Sequence, residues 1–498
     1  MKKFSPPEMK EVSFPTPYTP HPTPHTPHPT PRKNFFSRPY LPLKTTVKVS
    51  TQPQLPLHLV ITHPQYRFVD LFAGIGGFRI ALEKLGGRCL GYSEIDKQAI
   101  QVYQQNFISY LNSDEIAFGD VSKISNLPDN LDLIVGGVPC QPWSVAGCLR
   151  GFEDPRGKLW FDVIKLVQKS QPKSFIFENV SGLASPRNRE NLELIIDELT
   201  SCGYQVYWQL LNAYDFGLPQ NRERVFIVGI RKNIDNYERF KFPLPLGIHP
   251  KVLDILEDIK NIQPVKKVKL SADTLFNGFV PPSRTRFQKE DELNDFFIFS
   301  DLRNGHTTIH SWDIIKTTER QKSICLALLK LRRSKKYGEK DGHPVAFSTF
   351  LEIIPDLKIE ELNQLVSLGI CWQTTAGKYE FINSKNMTGI NGIYRIILPT
   401  ADIIPTLTAT GAKDYIATIS ITATHPQEYK QLFLKKIYKP KKFREITPQD
   451  ARKLQGFPDN FIYHPQSAIA KKQFGNSVPI TVVEAVARNL LEIIRPDY

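Results

Sequence analysis

Leu131-Asp-Leu-Ile-Val-Gly-Gly-Val-Pro-Cys-Gln-Pro-Trp-Ser-Val-Ala-Gly147 begins as an apolar run and stops in a loop rich in glycine and proline. A short apolar run bounded by turn residues reads as a strand of a buried parallel sheet. Cys140 then stands just past a strand end, where open α/β sheets place their reactive groups. Pro139 and Pro142 stiffen the loop and lower the entropy cost of holding the thiol in one place. A single cysteine is most often a small buried hydrophobe. A Gly-rich strand end between two prolines is a poor setting for simple packing, so Cys140 reads as a functional thiol.

Outward from this loop, composition narrows the class. At 498 residues the chain can bury a large core and build more than one domain. Its formal net charge of +14 favours a polyanionic partner. The cysteines (Cys89, Cys140, Cys148, Cys202, Cys325, Cys371) form no C-x-x-C pair, which argues against a zinc site and for a reducing compartment. No metal site is expected. The lysines near the N-terminus are followed by no apolar h-region, and no apolar run is long enough to cross a bilayer. The expectation is a cytoplasmic protein with no membrane contact. Residues 1–60 form a leader of Pro, Thr and His units that cannot build a packed core and is expected to be disordered.

Four further stretches have the same strand-then-loop grammar. Phe68-Val-Asp-Leu-Phe-Ala-Gly-Ile-Gly-Gly-Phe-Arg79 reads as strand, Gly-rich turn and amphipathic helix, a place where backbone approaches a ligand closely. It is not the dinucleotide fingerprint, because Arg79 stands at the third glycine position. Leu90 to Asp96 is a second strand ending at Glu94, and Asp120 follows a third; each acid reads as a ribose or adenine contact or as a helix N-cap. Lys173 to Val180 is a strand ending in Glu178-Asn179, and a carboxylate there needs a partner or a proton-transfer role. In Gln220 to Gly229, Arg222 and Arg224 alternate on an extended segment and so share a face, either at a site or on the surface.

Residues 236–443 are less regular. Thr317–Ser334, Phe347–Ile354 and Ile359–Leu368 have helical spacing, and Ile370–Ile382 reads as a hairpin turning at Ala376-Gly377. Three helices and a hairpin suit a winged-helix-like insert at about 301–390 that touches DNA, or a packing insert with a solvated basic face.

The Pro139-Cys140-Gln141 loop resembles the Pro-Cys-Gln motif of the DNA (cytosine-5) methyltransferases. Further motifs follow in that family's order: the Phe72 loop, Glu178-Asn179-Val180, Gln220-Asn-Arg-Glu-Arg224, Pro405-Thr-Leu-Thr-Ala409, Arg444 to Pro458, and Gln473-Phe-Gly-Asn-Ser-Val-Pro479. The resemblance implies a Rossmann-like α/β domain with a mostly parallel doubly wound sheet over 61–235. It implies a target-recognition region over 236–443 and a return to the catalytic domain over 444–498. It assigns Cys140 as nucleophile, with Glu178 at cytosine N3 and Arg222 and Arg224 beside the thiolate. S-adenosylmethionine would be held by Phe72, Gly74, Gly76, Gly77, Glu94, Ile95, Asp120, Val121, Pro139, Leu159 and Asn476. Pro139, Gln141, Asn179, Gln220, Thr406 and Leu407 would meet cytosine or DNA. The implied partner is double-stranded DNA, with a monomeric enzyme functionally paired to a cognate restriction endonuclease. A tRNA cytosine-5 methyltransferase and an inactive DNA-binding regulator are the rival readings.

Overall fold

The computed structural model describes residues 65–107, 114–139, 159–259, 315–382, 395–423 and 428–495, apart from positions 257, 333, 335, 338–341, 402, 410–413, 424–427 and 429–430. The leader at 1–60 and the loop carrying Cys140 and Gln141 lie outside the described residues.

The central sheet starts where the apolar runs predict. β1 (Tyr66–Leu71), β2 (Gly87–Ser93), β3 (Ile116–Ala117), β4 (Leu133–Gly137) and β5 (Ser174–Val180) run parallel. β6 (Tyr204–Asn212) and β8 (Glu223–Arg231) close one edge antiparallel, giving the order β3-β2-β1-β4-β5-β8-β6; β7 (Gln220–Asn221) lies outside this sheet. The order reverses between β1 and β4, so a crevice opens at their C-terminal ends.

Alternation along β1 feeds two cores. Phe68 points into one, which holds α1 (Gly77–Lys84), α2 (Lys97–Phe107) and the final helix. Val69 and Leu71 point into the other, with α3 (Leu159–Ser170) and α4 (Arg189–Ser201). Both sheet faces are covered, and this is why the strand sequences are nearly all apolar.

The insert is a separate helical unit with its own core. α5 (Glu319–Leu331), α6 (Phe347–Phe350) and α7 (Ile359–Ser367) pack on the hairpin β9 (Cys371–Gln373) and β10 (Tyr379–Phe381). Val345, between α5 and α6, bridges antiparallel to Tyr379 and adds a third extended piece. Helix, strand, helix, helix and hairpin in that order is the winged-helix arrangement. The hairpin turns at Gly377, whose φ of 70° suits glycine. Under it lies a buried ion pair, Arg332 Nε to Glu380 Oε1 at 2.8 Å. Arg332→Met would leave the Glu380 carboxylate buried without its cation, at a cost of about 3–5 kcal/mol. Hydrogen exchange should register that loss across 315–382 and leave the β1–β5 amides protected as before.

The remaining strands tie the recognition region to the catalytic domain. β11 (Arg395–Ile397), β13 (Asp414–Ala417) and β14 (Phe443–Glu445) form a small sheet, and β12 (Ile404–Pro405) pairs with β7. α8 (Pro448–Leu454) and α9 (Ser467–Asn476) lead into α10 (Ile480–Ile494). α10 buries Ile480, Val483, Val486, Ala487, Leu490 and Ile494 at helical spacing in the same core as α1. A surface pair, Lys84 to Glu484 at 2.7 Å, joins the two helices.

Candidate active site

A cavity of about 590 Å³ opens at the C-terminal ends of β1, β2, β4 and β5, within the size range of a small-ligand site. Its floor is the turn from β1 into α1. Phe72, Gly74 and Gly76 have φ of 55°, 56° and 89°. Phe72 pays for its left-handed backbone with about 1–3 kcal/mol of strain, a cost typical of ligand-binding turns. A Cβ on Gly77 would lie 2.7 Å from Ser477 Oγ, so the turn and the segment after α9 touch with no room for a side chain.

The acids at the second and third strand ends behave differently. Glu94 does not cap α2; Asp96 does, accepting from Gln98 and Ala99 N–H. Instead Glu94 Oε2 accepts from Gly74 N–H at 2.8 Å, and Oε1 accepts from Ile95 and Asp96 N–H. The carboxylate therefore locks the Gly-rich turn to the end of β2. Beside it Ile95 is 71% exposed, an apolar surface presented to the cavity. Asp120 lines the cavity and also caps a short turn, accepting from Ser122 N–H and Oγ–H; these bonds lower its carboxyl's pKa. Both readings of Asp120 thus coexist.

On the other side of the cavity, Glu178 lies opposite Gly137 on β4 and Phe226 on β8. Arg224 is two residues from Phe226 and so on the same face, where diagonal side chains meet. Its Nε lies 2.9 Å from Glu178 Oε1. Burial pushes the Glu178 carboxyl above the ordinary range, against the opposing pull of Arg224 and then Arg222. The next residue, Asn179, is fully buried: Nδ2 donates to Val138 O, and Oδ1 accepts from Val180 N–H. It therefore holds the chain two residues before Cys140. Pro139 and Leu159, the described residues flanking the Cys140 loop, both line the cavity.

Arg222 shares the cavity wall but is 1% exposed. Its Nη1 donates to Leu407 O, and Nη2 to Gly475 O and Ser477 O. Gln220 donates to Leu454 O and accepts from Leu407 N–H, while Thr406 Oγ1 donates to Asn221 O. Gln220 and Leu407 are buried in this junction and Thr406 is half-buried, so the expectation that they meet DNA differs from where the fold puts them. Together they clamp the recognition region and the C-terminal segment to the site. Arg222→Met would strip donors from three carbonyls, at about 1–3 kcal/mol for each acceptor left bare. A lower melting temperature is expected, with Arg222→Lys restoring little, because an ammonium lacks the planar fork.

Residues 66–492 match the family model described as C-5 cytosine-specific DNA methylase. The chain belongs to this family. It is 45% identical over 430 residues to the Type II methyltransferase M.HgiBI of Herpetosiphon aurantiacus, covering 86% of this chain and 97% of that one. It is 33% identical over 451 residues to the Type II methyltransferase M.BanI of Aneurinibacillus aneurinilyticus, covering 86% and 96%.

The cofactor of a C-5 methylase is S-adenosylmethionine, and the cavity fits it. Exposed Ile95 offers a face for the adenine ring, Glu94 and Asp120 stand at the β2 and β3 ends for ribose and base, and Asn476 lines the far wall. Gln473, also in the wall, is buried with neither carboxamide atom hydrogen-bonded, a vacancy that a polar ligand group would fill. Val180, Gln473 and Ser477 line the cavity although the sequence reading assigned them no role. Helical spacing was the available signal for Gln473, which stands three residues before Asn476 on α9.

Among the described residues no helix is long and apolar enough to cross a membrane, and no cluster of His, Cys, Asp and Glu could hold a metal ion.

Proposed function

We infer that this protein is a DNA (cytosine-5) methyltransferase that places a methyl group on C5 of a cytosine rotated out of the duplex. The observation carrying this reading is that one cavity joins the Phe72–Gly77 turn to the Glu178–Arg224 pair and ends at Pro139, the neighbour of Cys140. A cofactor end and a polar base-binding end thus share one space, next to a thiol.

Cytosine C5 is too weak a nucleophile to take a methyl group directly. In the proposed chemistry the Cys140 thiolate adds to C6, which makes C5 enamine-like. Glu178 donates a hydrogen bond or proton at N3 as sulfur adds, and its upward-shifted carboxyl suits that role. Arg224 orients Glu178, and Arg222 acts as a positioning residue through the main chain of 475–477. S-adenosylmethionine, when bound, supplies an electrophilic methyl group on a sulfonium. Loss of the C5 proton and breaking of the C6–S bond then release the product and the thiolate.

The stacked duplex hides C5 and C6, so the base must be flipped at a cost of a few kcal/mol. Residues 236–443, insert included, would supply the phosphate and base contacts that offset this cost, with base-edge contacts setting the target sequence. The overall excess of basic residues suits that task. By analogy with the Type II relatives, the enzyme would act as a cytoplasmic monomer protecting DNA from a paired endonuclease. The family match and those relatives favour DNA over tRNA, and over an inactive regulator. The test is incubation with duplex DNA, tRNA and labelled cofactor. Label is expected at C5 of cytosine in DNA; label confined to tRNA, or at another atom, would contradict the reading.

A further inference from the structure

Gln473 is a polar side chain in the cavity wall with nothing to bind. It is 8% exposed, and neither Oε1 nor Nε2 has a hydrogen-bond partner. A buried carboxamide left bare is destabilising, and a native protein keeps such a group where a ligand completes it.

The fold indicates which part of the ligand that is. Adenosine belongs at the β2 and β3 ends, with Glu94, Ile95 and Asp120, and the cytosine belongs at β4 and β5, with Glu178. β1 and its Phe72–Gly77 turn lie between them in the sheet order. The C-terminal end of α9 is pressed against this turn, as the Gly77–Ser477 approach requires. Ser477 N–H donates to Gln473 O, so Gln473 stands one helical turn from that contact. The cofactor group expected at this turn is the α-amino acid, which carries a carboxylate and an ammonium. A carboxamide offers a donor to the first and an acceptor to the second, without bringing a charge of its own.

We propose that Gln473 binds the α-amino-acid end of S-adenosylmethionine and so sets the position of its sulfonium. The proposal rests on the methyltransferase reading above and adds a residue to its cofactor site.

Calorimetry on the full chain tests it with two probes: S-adenosylhomocysteine, which has the amino acid, and 5′-methylthioadenosine, which lacks it. Hydrogen bonds to charged groups are worth roughly 10- to 100-fold in affinity. Gln473→Ala should therefore weaken S-adenosylhomocysteine by about that factor and leave 5′-methylthioadenosine unchanged. Gln473→Glu should weaken it as well, by opposing the carboxylate. The ligand-free melting temperature of Gln473→Ala should not fall, because the variant loses an unmatched buried amide; a purely structural role would lower it. Equal loss for both probes, or no loss for either, overturns the proposal while leaving the enzyme assignment intact. Failure of the wild-type chain to bind either probe overturns the assignment together with the proposal.

Discussion

Cys140→Ser is expected to lower methyl transfer by roughly 10⁴-fold or more, the scale seen when an essential nucleophile is removed. The reason is chemical. Cytosine C5 becomes reactive only after a soft, strong nucleophile adds at C6, and a serine hydroxyl near neutral pH is almost entirely protonated and much less nucleophilic than a thiolate. Cofactor affinity should hardly change, because the cavity surfaces assigned to S-adenosylmethionine lie on the Phe72 turn, the β2 and β3 ends and α9. Single-turnover transfer of labelled methyl to duplex DNA, alongside calorimetry with S-adenosylhomocysteine, separates the two effects. Transfer surviving within tenfold of wild type would remove Cys140 from the chemistry.

Glu178→Gln is expected to lower transfer by about 10²–10⁴-fold and to change the shape of its pH profile. Burial raises the Glu178 carboxyl above its ordinary range, so the folded enzyme retains that proton to higher pH than an exposed glutamate would. If the protonated form serves N3, kcat/KM declines as pH rises through that raised value, and Glu178→Gln lacks this limb. Arg224 opposes the effect of burial, so Arg224→Met should move the limb further toward alkaline pH. The stability linkage has the same sign. A carboxyl raised in the folded state favours folding at low pH and loses that contribution as pH climbs through the raised value. A profile whose alkaline limb is the same in wild type and Glu178→Gln would show that another group titrates there.

The central sheet was legible because its strands are apolar runs ended by Gly, Pro or an acid, and β1, β2, β4 and β5 lie where those runs lie. The insert's helices and hairpin were legible from periodicity, although α6 stops at Phe350, short of the span to Ile354 that the pattern suggests. What local pattern does not encode is which side chain meets which across long sequence separations. Gln220 and Arg222 read as groups at the substrate, yet they bond to main chain at Leu407, Leu454, Gly475 and Ser477. Asn179 read as a base contact and instead fixes Val138. Such partners are set by how the 403–408 and 454–478 segments return to the sheet. Gly475 belongs to that closure: a Cβ there would come within 2.5 Å of Thr408 main chain, so glycine at this position reflects close backbone approach.

The measurement that bears most directly on the proposed chemistry uses duplex DNA carrying 5-fluorocytosine at the target position. With fluorine at C5 there is no proton to remove after methylation, so the C6–S bond cannot break by the normal elimination. Incubation with S-adenosylmethionine should give a denaturation-resistant protein–DNA complex carrying one transferred methyl group. Peptide mapping should place the cross-link on Cys140. Normal DNA and cofactor binding without any such complex, or a cross-link on another residue such as Cys148, would contradict it.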